Sequence, residues 1–143
     1  QSLEETLGLT VELSVAGDNS LFIADRNEGN YDFFLGGWYS DYNDPLDFLY
    51  TNYTDAYGMS FGGYSNTDYD ALADQLVGET DMDKRLDIYK QMEQILLLDD
   101  CAFAPIYYAT KQVLLQNWVK DYRTSSFGAS AEFIWTYIDG KNQ

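Results

Sequence analysis

Along this chain of 143 residues the apolar positions follow two periods, and the points where one gives way to the other mark out its elements. In TDYDALADQLVG, residues Tyr69, Leu72, Ala73 and Leu76 stand three and four apart, the spacing of one helix face, with Asn66 or Thr67 as N-cap. A longer helix is predicted from about Met82 to Leu98, where Leu86, Ile88, Tyr89, Met92, Ile95 and Leu96 form one stripe and Asp99-Asp100 ends it. Three shorter helices are expected. Ser2 to Leu7 is stopped by Gly8. A second runs through Leu21 to Arg26, capped by Asp18 or Asn19 and stopped near Gly29. Pro45 opens the third, Leu46 to Tyr50.

Other stretches read as strands. Leu9 to Val15 alternates apolar and polar residues, while Tyr31 to Leu35 and Cys101 to Tyr108 are continuous apolar runs. Lys111 to Gln116 suits a short edge strand and Glu132 to Ile138 a final one. Thr51 to Tyr64 reads as loop and Asn117 to Ala131 as irregular chain. The order helix, strand, helix, strand up to Leu35 predicts a right-handed β-α-β crossover with parallel strands, and so an α/β fold.

Charge narrows the function. With 24 Asp and Glu against 8 Lys and Arg, the formal net charge is -16, which repels nucleic acid and anionic membranes. Such acidity accompanies disorder when aromatics are scarce, but here they reach 17%, including 13 tyrosines, so a folded chain is expected. The chain has no histidine, which excludes a His-based triad or a His-ligated zinc. The single cysteine, Cys101, lies in an apolar run and is expected to be a buried thiol. No apolar run is long enough to span a bilayer, and no signal peptide is seen. The opening SLEETLGL reads as the tail of an amphipathic helix, so the chain is expected to be a piece of a longer protein.

The candidate chemistry lies in YDFFLGGWYSDYNDP. An apolar run stops at Gly36-Gly37, and Trp38 and Asp41 are then displayed on a loop, the way a rigid scaffold presents a binding site. Asp41 also suits an Asx turn or helix cap ahead of Pro45, and Trp38 a core aromatic at a strand end. A calcium loop does not fit: counted from Asp41, position 5 is Pro45, position 6 is Leu46 and position 12 is Asn52. Asp41 with Asp44 or Asp47 would make a carboxylate pair for glycoside hydrolysis, although nothing in the sequence places them at a reacting centre. Tyr107 and Tyr108 are expected in core and hinge packing rather than in ligand contact. Asp81, Asp83, Asp99 and Asp100 are expected on solvated faces and at helix ends.

Four segments, EGNYDFFLGGWYSDYNDP, YSNTDYDALADQL, RLDIYKQMEQILLLDDCAFAPIYY and NWVKDYR, occur in the order in which similar motifs occur in one family. Over roughly Leu7 to Tyr122 the chain resembles the C-terminal lobe of the extracytoplasmic peptide-binding receptors of bacterial dipeptide/oligopeptide ABC transporters. The resemblance implies a fragment of a two-lobe periplasmic-binding-protein type II fold, a mixed sheet flanked by helices. It implies that residues 1–108 form the distal ligand-binding lobe, in part, and that residues 109–143 return through the hinge and dock on the other lobe. It also implies that Asp41, three residues after the Trp of a G-W-x-x-D loop, binds a ligand α-ammonium, that Trp38 walls the pocket, and that backbone groups near Gly37 and Tyr39 pair with the peptide main chain.

Some family members carry a basic residue three positions before the Trp. Here it is Leu35, which leaves the peptide carboxylate without that anchor. Arg26 aligns with another family arginine, or caps and pairs at its helix end. The resemblance further implies a non-enzymatic receptor with no cofactor, outside the cytoplasmic membrane in the periplasm or lipid-anchored. Its partners would be a peptide or other small solute, the permease subunits and the N-terminal lobe of the same parent chain. Three alternatives stay open: a receptor of this family for an oligosaccharide or metal chelate, an aromatic-rich carbohydrate-binding or hydrolytic domain, and a structural interaction module with no small ligand.

Overall fold

The computed structural model describes residues 2–29, 31–55, 61–125, 127–128 and 131–141, in two compact units divided between Gly36 and Gly37. The first unit carries α1 (Ser2–Leu7) and α2 (Asn19–Glu28). Asp18 caps α2, its carboxylate accepting the Ser20 and Leu21 N–H groups at 2.8 and 2.9 Å. Gly29 ends the helix at φ 71°, a left-handed conformation that glycine adopts without steric cost. Neither helix buries a residue; the unit's contacts include edge-on packing of Phe22 and Tyr31 against Phe34, with ring centroids 6.0 and 5.2 Å apart.

The parallel β-α-β pair expected for Leu9–Val15 and Tyr31–Leu35 does not form within the described residues. Neither segment joins a ladder, and Leu13, Val15, Phe33 and Leu35 are exposed. A strand is stable only when its N–H and C=O groups find partners on a neighbour, and no described residue supplies them here.

The second unit is built on α3 (Leu46–Tyr53), α4 (Thr67–Gly78) and α5 (Met82–Gln94), the last running into a π-helical turn, Ile95–Asp99. The predicted faces pack on one another: Tyr69, Ala73 and Leu76 of α4 meet Ile88, Tyr89, Met92 and Leu96 beneath Leu49 and Tyr53 of α3. Leu86, expected in the stripe, is exposed, while Leu72 and Ile95 are partly buried. The fully buried Tyr69 donates its hydroxyl to the Leu49 carbonyl at 2.8 Å, so α4 is bonded as well as packed to α3. Asn66 caps α4 through its side-chain oxygen, and its amide donates to Asp100 at 2.7 Å, where the Tyr64 hydroxyl also donates. Asp81 caps α5.

After Asp100 the strand expectations fail again. Cys101–Tyr108 and Lys111–Gln116 form no ladder among the described residues and are exposed throughout; Tyr108 is 96% and Leu114 100% exposed. Tyr107 and Tyr108 are therefore not in the core, and the Cys101 thiol is exposed rather than buried. Of the final strand, only Tyr137–Ile138 (β2) pairs, antiparallel to Val119–Lys120 (β1), with one further bridge between Arg123 and Glu132. β1 lies in a stretch read as irregular, and α3 runs to Tyr53 rather than Tyr50. Within the predicted loops, residues 56–60, 126 and 129–130 lie outside the described residues.

Candidate functional site

The loop from Gly37 to Pro45 leads straight into α3, and hydrogen bonds to side chains and backbone fix its shape. Asp47, in the first turn of α3, is 1% exposed. Its Oδ2 accepts the Trp38 indole N–H at 3.0 Å and the Asp41 backbone N–H at 2.9 Å. The Trp38 side chain is thus turned back onto the start of α3 and is half-buried. Tyr39 is exposed, with the Lys111 ammonium 5.7 Å from the centre of its ring. On the other side of the loop the Gly128 N–H donates to the Ser40 carbonyl at 2.9 Å.

Asp44, not Asp41, makes the turn into the helix: its Oδ1 accepts the Leu46 N–H at 2.9 Å. It also accepts the Tyr89 hydroxyl and, at 2.7 Å, Nη2 of Arg85. Nη1 of Arg85 donates to the Leu76 and Glu79 carbonyls at 3.0 Å each, so one guanidinium ties the loop to the end of α4 from its seat on α5. Burial works against ionisation of Asp44, but the Tyr89 hydroxyl, the Leu46 N–H and Arg85 outweigh it and hold the carboxyl below the usual range. Burial, with the Asp44 hydrogen bond, pushes Tyr89 up to about 12.

The predicted residues Gly37, Trp38, Tyr39 and Asp41 therefore lie on one loop, braced by Asp47 and Asp44. The Asp41 carboxylate is exposed and has no hydrogen-bond or ionic partner among the described residues. Asp44 and Asp47, considered above as acid–base partners, are both occupied by protein donors. A depression of about 310 Å³ lies away from this loop, lined by Leu72, Lys90, Gln91, Gln94 and Ile95. Among the described residues no group of three His, Cys, Asp or Glu side chains is placed to hold a metal ion, and no helix is long and apolar enough to cross a membrane.

Asp47, Arg85 and Tyr89 were missed by sequence reasoning. Arg85 had a readable sign: it stands three, four and seven residues before Ile88, Tyr89 and Met92, a charge on the buried stripe that has to find partners. Asp47 had only its place on the face of the later-buried Thr51 and Thr54.

No family model matches the chain. It is 30% identical over 119 residues to the periplasmic oligopeptide-binding protein OppA of Escherichia coli, covering 83% of this chain and 21% of that protein. To the oligopeptide-binding protein OppA of Bacillus subtilis it is 33% identical over 121 residues, 82% of this chain and 20% of the relative. The structure superposes on the substrate-binding domain of an oligopeptide ABC transporter from Bacillus anthracis with a TM-score of 0.81 and 25% identity, over 95% of this chain and 26% of the other. By sequence and by fold, the chain is homologous to a segment of the peptide-binding receptors of ABC transporters. It spans about a fifth of the length of the curated relatives it matches. The fold class is accordingly that of a part of a type II periplasmic binding protein, here chiefly helical with a small sheet.

Proposed function

We propose that this chain is the distal part of the C-terminal lobe of a peptide receptor that serves an ABC importer outside the cytoplasmic membrane. In this reading Asp41 takes the ligand's α-ammonium, Trp38 walls the pocket, and the backbone at Gly37 and Tyr39 pairs with the peptide main chain. Residues 1–108 contribute the ligand-binding lobe, and residues 109–143 return through the hinge towards the N-terminal lobe. The receptor captures and delivers its ligand without chemical turnover, handing it to the permease subunits.

The observation that carries the reading is the state of the Asp41 carboxylate. It is exposed and lacks a partner among the described residues, on a backbone pinned from behind by Asp47. A carboxylate offers several acceptor sites to the three N–H donors of an ammonium. A charge-assisted contact of this kind contributes about 1.5–3 kcal/mol. In the receptor that contains this lobe, Asp41→Asn is expected to weaken free-amine tripeptides at least about tenfold, or 1.4 kcal/mol. N-acetylated tripeptides should bind poorly to both forms. Calorimetric titration checks this, and equal affinity for free and acetylated peptides would remove Asp41 from the site.

A further inference from the structure

We propose that Asp47 is the positioning residue of this loop: a single buried oxygen holds the Trp38 indole and the Asp41 backbone together, so that aromatic wall and ammonium acceptor are presented as one unit. The ligand half of this statement rests on the peptide-binding reading; the geometric half does not.

Asp47 Oδ2 receives both donors, at 3.0 Å from Trp38 and 2.9 Å from Asp41, from a residue that is 1% exposed. Both donors are neutral, and no cation among the described residues pairs with Asp47. A buried carboxylate without a cation is an expensive choice for packing alone. Its location offsets part of that cost, because the first turn of a helix favours negative charge. The acceptor sits on α3, whose Leu49 and Tyr53 belong to the core, whereas both donors sit on irregular backbone. A rigid element thereby lends its order to a loop. Fixing Trp38 and the Asp41 backbone before a ligand arrives lowers the ordering cost of binding.

The test is hydrogen exchange by NMR on this chain, read at the Trp38 indole N–H (assigned with Trp38→Phe) and the Asp41 amide. In Asp47→Ala both are expected to exchange at least about tenfold faster while the Tyr53 and Thr54 amides keep their rates. Asp47→Asn should stay within about threefold of the parent, because an amide oxygen has two lone pairs and accepts both donors. Asp47→Leu, which fills the space without an acceptor, replaces the alanine variant if that fails to fold. Unchanged exchange at either reporter in the alanine or leucine variant overturns the proposal. So does an asparagine variant as fast as alanine, which would make charge rather than a shared acceptor the operative feature. A parallel titration with tri-alanine judges the ligand separately. That titration uses the receptor that contains this lobe, whose failure to bind counts against the peptide reading and leaves the exchange rates to decide on Asp47.

Discussion

Met92 and Leu96 are sealed between α4 and α5, while a short way along the chain Ile106, Tyr107, Tyr108 and Leu114 stand in solvent. Both stretches are apolar in sequence, and what separates them is the source of the partner surface. An amphipathic helix needs one other helix face, and the short connection from Gly78 to Met82 delivers α5 onto α4 within the same chain. A strand needs a ladder as well as a face, and for Cys101–Gln116 no ladder lies among the described residues, although the Phe103 ring meets that of Tyr53 at 5.8 Å. Hydrophobicity alone therefore does not locate a core; the partner has to be within reach.

The largest effect that would sharpen this contrast is on stability. Met92→Ala or Leu76→Ala is expected to cost about 2–5 kcal/mol. Ile106→Ala or Leu114→Ala should change stability by less than about 0.5 kcal/mol. Urea unfolding measures both, and a comparable loss in the second pair would show that the exposed stretch packs after all.

Next comes the clamp between the loop and the helices. Arg85→Ala strips donors from Asp44 and from the Leu76 and Glu79 carbonyls, and is expected to cost about 2 kcal/mol. Because the Asp44 pKa lies below its ordinary 3.8 in the fold, its contribution is present above that pH and is lost as pH falls through the lower, folded value. Asp44→Asn should flatten the acid limb of the stability profile; an unaltered limb would assign acid sensitivity elsewhere.

The alkaline side runs in the opposite sense. Tyr89 is raised from 10.0 to about 12, so the stability tied to its neutral hydroxyl is whole below pH 10 and declines as pH rises through 12. Tyr89→Phe should be less sensitive to that window in a pH-dependent melt. The smallest effect concerns Cys101, which should react with a thiol reagent in the folded protein as fast as in urea to within about tenfold, since it is exposed.

The helices were legible because their causes are local. Asp18, Asn66 and Asp81 cap where short polar residues precede a periodic run, and the faces of α4 and α5 follow from spacing. Strands were overread for the complementary reason: Leu9–Val15 and Cys101–Tyr108 have the composition of strands, but composition does not report whether a neighbour exists. That Gly37 to Asp41 form a loop was readable from the glycines and the turn residues around them, yet the means of holding that loop was not. Trp38 to Asp47 and Asp44 to Arg85 are bonds between residues 9 and 41 positions apart, and no periodicity encodes either.

The bond from Gly128 to Ser40 has a directional consequence. Successive peptide groups of an extended backbone point to alternate sides. Where Gly37 to Ser40 pairs as a strand with a peptide, as the proposed reading has it, a Ser40 carbonyl taken by Gly128 puts the Gly37 and Tyr39 groups on the opposite edge. On the proposed reading, the far end of the chain closes one border of the loop and keeps the other vacant, so an incoming peptide meets a template with a single free side and a fixed parity.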